Sequence, residues 1–132
     1  MRSSEIFIVN KTRMKMPSLS YLQMKKDILG SDYSLSVAYV NEKISQKINT
    51  ERRGKNNPTN ILSFALTKKV GEILLCPSVI KKEAPIFDKT FHQFLILIVI
   101  HGMLHLRGMR HGAKMEAEEK KFEKKYLSRT KF

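Results

Sequence analysis

The chain is short of cysteine, of acidic residues and of long apolar runs, and each shortage excludes something. Cys76 is the only cysteine among 132 residues, so there is no disulfide framework and a reducing compartment suits the protein. It follows an apolar stretch ending at Leu75 and reads as a small buried side chain. The apolar run from Phe94 to Ile100 is far too short to span a membrane. Ile6 to Val9 is likewise too short for the apolar segment of a secretory signal. A soluble, cytoplasmic protein without a membrane partner is expected. No internal repeat or low-complexity boundary interrupts residues 1–132, a length that suits one domain with a respectable core.

Acid is scarcer than base. Asp plus Glu number 12 against 25 Lys plus Arg, a formal charge of +13. Such an excess favours a polyanionic partner, nucleic acid first and anionic membrane second, over a surface that is merely solvated. The bases gather at Arg52-Arg53, Lys68-Lys69, Lys81-Lys82 and Lys120 to Lys125. No aromatic pattern of the kind that stacks RNA bases is legible.

Hydropathy patterning predicts strands at Glu5–Val9, Leu35–Val40, Thr59–Phe64 and Gly71–Leu75, the last two joined as a hairpin. Helices are predicted at Pro17–Leu29, from an Asn41 cap through Ile48, around Ser78–Ala84, at Thr90–Arg107 and at Lys114–Tyr126. Arg52 to Pro58 reads as a polar loop. This order suggests an α/β fold, a small mixed sheet of about four strands covered by helices. The Thr90–Arg107 helix is apolar nearly all round, so it is expected to be buried.

Residues 101–111 read His-Gly-Met-Leu-His-Leu-Arg-Gly-Met-Arg-His. His101 and His105 are four apart and share one helix face. His111 comes six later, about 600° round a helix, so it cannot share that face. The chain must leave the helix between them, and Gly108 permits the left-handed stop. Three imidazoles with a fourth position open describe a catalytic zinc site, one Zn²⁺ per chain. His92 lies about half a turn off and reads as structural.

The spacing is that of the metzincin proteases, but their second residue is a glutamate general base and here it is Gly102. Peptide hydrolysis is therefore disfavoured. Neutral ligands leave the full charge on the ion, which suits a phosphodiester, and the basic surface points to nucleic acid. The Arg52–Arg53 segment is the best local source of a guanidinium that grips phosphate.

The motif resembles that of the YbeY endoribonucleases, His-Gly-x-Leu-His-Leu-x-Gly-Tyr-Asp-His, departing at Met109 and Arg110. A second segment is also similar to the family's. It comprises Asn49, Arg53, Pro58 to Phe64 and Gly71-Glu72-Ile73, with Glu72 for Asp and Ala65 where Pro is common. The likeness covers roughly residues 45–115. It implies a zincin-like fold with a buried metal-binding helix and cleavage of single-stranded RNA. It further implies maturation of the small-subunit rRNA 3′ end and ribosome quality control. It makes His101, His105 and His111 the zinc ligands and Arg53 the catalytic arginine. Arg110 reverses a charge beside a ligand. Two rivals stand beside this reading: a non-catalytic, zinc-stabilised ribosome-assembly factor, and a zinc hydrolase of another substrate using Glu72 or Glu116 as base.

Overall fold

The computed structural model describes residues 6–127. Glu5, the first residue of the expected first strand, lies outside them, and β1 runs Ile6–Asn10. Then follow α1 (Tyr21–Ile28), β2 (Ser34–Tyr39), α2 (Glu42–Arg53), β3 (Ile61–Thr67) and β4 (Val70–Leu75). The chain ends with α3 (Pro77–Glu83), a 3-10 turn (Ala84–Phe87), α4 (Phe91–Leu106) and α5 (Ala113–Leu127). The sheet order is β1-β2-β4-β3, with β1, β2 and β4 parallel and β3 antiparallel to β4. This is the small mixed sheet that the patterning predicts.

Period-2 alternation decides which face of the sheet is buried. In β2, Leu35, Val37 and Tyr39 are buried, and their partners Gly71, Ile73 and Leu75 in β4 point the same way. Onto this face packs α4. Ten of its sixteen residues are buried, too many for a one-sided amphipathic helix, so it forms the centre of the core. Thr90 and Gln93 close its N-terminus with a reciprocal capping box. α5 covers the outer side of α4 through Met115, Phe122 and Tyr126. Cys76 is buried, as its apolar context implies. Among the described residues, no single helix is long and apolar enough to cross a membrane.

Two helix boundaries differ from the sequence reading. α1 starts at Tyr21 rather than Pro17: Met16 and Leu19 already pack against the core from a segment without helix, and the first fully buried positions of the helix are Tyr21 and Met24. Its C-terminus is held by Lys25, which is fully buried and donates to the carbonyls of Gly30, Ser31 and Tyr33 at 3.4, 3.3 and 2.7 Å. Three carbonyls of the loop that follows α1 thus converge on one ammonium. α2 is capped by Asn41, whose side chain accepts from the Ile44 amide at 2.9 Å, but it runs on past Ile48. Its last turn carries Arg52 and Arg53, favoured there by the helix dipole, and it stops at Gly54 in the left-handed region (φ 69°). The two arginines therefore ride a helix, not a loop.

Candidate metal centre and its cleft

The end of α4 is built to turn the chain back on itself. The Gly108 amide donates to His105 O (2.9 Å) and the Met109 amide to Leu104 O (3.0 Å), the paired bonds of a Schellman motif. It requires positive φ at Gly108, which stands at 101°. Met109 packs against the core, the apolar contact such a motif favours. An apolar side chain is what the position needs, so Met in place of the family's Tyr is compatible with the turn. The next residues carry His111 back over the helix end. Its ring centroid lies 5.2 Å from that of His101 and 4.8 Å from that of His105.

Hydrogen bonds orient two of the rings. His105 Nδ1 faces the Met109 carbonyl at 3.1 Å, and His101 Nδ1 faces a Glu119 carboxylate oxygen at 2.5 Å. Both partners accept, so each Nδ1–H is turned outward and each Nε2 inward. The two Nε2 atoms stand 3.0 Å apart, close enough to share one cation, whether a proton or a metal ion. One ligand atom from each of the three histidines falls within 4.8 Å of the others, and a tetrahedral ion with bonds of about 2.1 Å asks for about 3.4 Å between donors. The cluster can hold a metal ion. Burial, with His101 next, holds the His105 pKa below the ordinary imidazole value against an opposing pull from the Met109 carbonyl. That favours the neutral, ligating form. Among the described residues the group has no fourth protein ligand; Glu119 sits on the outer nitrogen of His101.

Gly102 has a reason of its own. A Cβ there would lie 2.5 Å from Ile61 Cδ1 and 3.1 Å from Ser63 Oγ. The position that carries the base in metzincins is here the place where α4 touches the edge strand β3. A side chain there would have to push the Ile61 terminus aside.

The histidines lie in a cleft of about 1070 Å³ that runs along β3. Its lining brings together Arg52 and Arg53 at the end of α2, Glu119 and Glu123 of α5, and Ile86 and Phe87. The Arg52 guanidinium lies over the Phe64 ring, 5.2 Å from its centroid. Arg53 is exposed and makes no hydrogen bond or ion pair among the described residues. It is free to meet a phosphate. Glu72 and Glu116, the two carboxylates considered from sequence, do not line the cleft; Glu83, Glu119 and Glu123 do. Burial first, and then Glu119, raise the Glu123 pKa, with Lys89 and Lys120 opposing. Sequence reasoning missed Glu119 because its distance of eighteen residues from His101 leaves no local signal. Arg110 is exposed and outside the cleft lining. His92, in the first turn of α4, is also absent from it.

The family model described as endoribonuclease YbeY matches residues 4–131. Among curated relatives, the endoribonuclease YbeY of Thermotoga neapolitana is 36% identical over 105 residues, covering 79% of this chain and 69% of that protein. The one from Pseudoalteromonas translucida is 34% identical over 125 residues, covering 86% and 82%. A Thermotoga maritima protein solved in solution shares the fold, with a TM-score of 0.62 and 29% identity, over 89% of this chain and 86% of that one. With the match extending over nearly the whole sequence and the fold agreeing, the chain belongs to the YbeY endoribonuclease family.

Proposed function

We propose that this protein is a zinc-dependent endoribonuclease that cuts single-stranded RNA, acts in cytoplasmic maturation of the small-subunit rRNA 3′ end, and serves ribosome quality control. The observation that carries this reading is one cleft holding three convergent imidazoles and two guanidiniums, in a chain of an endoribonuclease family. His101, His105 and His111 would hold the ion, which supplies Lewis-acid polarisation of the phosphodiester and acidification of water. Arg53 grips the phosphate and offsets charge that develops as the water oxygen–phosphorus bond forms and the ester bond breaks. Glu119 keeps the His101 ring in place and its tautomer fixed. With three imidazoles and no fourth protein ligand among the described residues, a position remains for substrate, which favours catalysis over a purely structural metal.

The test is direct. Zinc-loaded protein is incubated with a single-stranded RNA, with the same sequence as a duplex, and with small subunits carrying unprocessed 3′ ends. Cleavage of the single strand and trimming of the subunit RNA are expected, with the duplex left intact. Failure on every RNA would overturn the activity; cutting of free RNA without trimming would overturn only the ribosomal role.

A further inference from the structure

Phe87 ends the 3-10 turn after α3 and is 56% exposed, while its neighbour Ile86 is 76% exposed. Both line the cleft. The inner face of Phe87 rests on Phe94, with ring centroids 5.1 Å apart and planes 14° from parallel. Phe94 itself is buried in α4. The pair is thus anchored below and open above. The turn that presents it is held firmly: Asp88 adopts the left-handed region (φ 56°), which non-glycine residues disfavour. The Asp88 amide donates to Pro85 O (3.1 Å) and the Lys89 amide to Ala84 O (3.0 Å). An aromatic ring with one face packed and the other open to the cleft is preset for a ligand rather than for the core.

Its position relates it to the histidines. Phe94 and His101 are seven residues apart, two turns along one face of α4, a rise of about 10.5 Å. Stacked nucleotides on one strand advance about 3.4 Å each, so this is a span of about three, fewer if the strand is splayed. The same cleft is lined by Arg52 and Arg53 and by Glu119 and Glu123. The guanidiniums attract the phosphates of a strand, and the Phe87 ring offers its bases an aromatic face.

We propose that Phe87, backed by Phe94, is a stacking platform for a nucleobase of single-stranded RNA, two to three nucleotides from the histidine centre. The inference rests on the endoribonuclease reading and adds how the strand is held and why pairing excludes it. A base within a duplex has both faces covered by its neighbours, so the platform takes only an unstacked one. Stacking on an aromatic ring tolerates any base, so the platform selects for strandedness and not for sequence.

The chain contains no tryptophan, so Phe87→Trp introduces a single selective fluorophore at an exposed site. Single-stranded oligoribonucleotide should quench its emission along the binding curve measured by anisotropy. Inorganic polyphosphate should leave it unchanged. Phe87→Ala should weaken single-strand binding and raise KM by about 10-fold or more, with little change in kcat. An RNA abasic at the stacked position should lose the same factor against the wild type and nothing further against Phe87→Ala. Unquenched emission with unchanged Kd and KM, in a protein that binds and cuts RNA, overturns the platform and leaves the endoribonuclease standing. Quenching and an Ala defect in a protein that cuts nothing supports the platform and overturns the nuclease. Quenching by an apolar peptide but not by RNA overturns the platform's assignment to nucleic acid.

Discussion

His111 is the most exposed of the three histidines and stands outside any helix, so its place depends on the Schellman turn and on any ion the cluster holds. His111→Ala should lose stoichiometric zinc, since two imidazoles hold a divalent ion far less well than three. Metal analysis of the purified variant measures this, and full occupancy would remove His111 from the site. Arg53 stands free on the cleft wall, whereas Arg52 is engaged with Phe64. Arg53→Ala should keep the fold and the metal while losing cleavage by on the order of 10²-fold. Arg53→Lys should regain only part, because the planar two-pronged donor is gone. Single-turnover rates decide it; wild-type rates in the Ala variant would pass the role to Arg52. Arg110, despite its charge, is exposed and is not among the residues that line the cleft, so a repulsive effect on the ion is not expected.

At the scale of elements, the contact of α4 with β3 sets the position of two ligands at once. Gly102→Ala gains helix propensity, up to about 1 kcal/mol. It also brings a methyl to 2.5 Å from Ile61 Cδ1, the far end of a partly buried side chain that can turn aside, and to 3.1 Å from Ser63 Oγ. The gain and the repacking cost should nearly offset, leaving Tm within a few degrees of wild type and zinc binding unchanged. Thermal unfolding and metal titration of this variant check both; a large fall in Tm with weaker zinc binding would mean that α4 itself is displaced. A second joint ties α1 to α5. Asp27 accepts from Lys125 at 2.5 Å, from Gln23 at 3.0 Å and from the Tyr126 hydroxyl. Burial pushes the Asp27 pKa up, but these hydrogen bonds and the Lys125 charge outweigh it, and the net shift is downward. A carboxyl with a lower pKa folded than unfolded stabilises the protein above about pH 4, and that contribution fades as pH falls through the folded value. Asp27→Asn should therefore cost about 1 kcal/mol at neutral pH, and the gap from wild type should close on acidification. Urea unfolding at several pH values reads this out; a gap constant down to pH 3 would deny the charge any part in it.

Across the whole molecule the charge of +13 sets how RNA is approached. Affinity for single-stranded RNA should fall with a log–log salt slope of about −0.7 for each phosphate neutralised. A slope near zero would reduce the basic residues to solvated surface. The sheet order matters at this scale too, because the order β1-β2-β4-β3 leaves β3 at one edge. That edge forms the floor of the cleft.

What the sequence determined by itself is local along the chain. The candidate ligands fall within residues 101–111, where helix periodicity and one glycine suffice to bring three imidazoles together. The buried helix is legible because its apolar run leaves no polar face, and the strands because alternation at period 2 betrays a one-sided sheet. The tertiary structure decided everything that depends on contacts between distant segments. Glu119 reaches His101 only because α5 folds back over α4, and no local pattern marks it. Arg53 enters the cleft because α2 continues five residues past Ile48 and ends at Gly54, where composition alone reads a loop. Gly102 reads as a missing base in the motif, yet in the fold it is the close contact that seats the metal helix on the sheet. The aromatic platform is likewise invisible in sequence, since Phe87 and Phe94 meet only because a 3-10 turn bends the chain back onto the helix it precedes. Short-range spacing encodes which side chains a helix or turn can align; packing alone fixes which of the remaining residues join them.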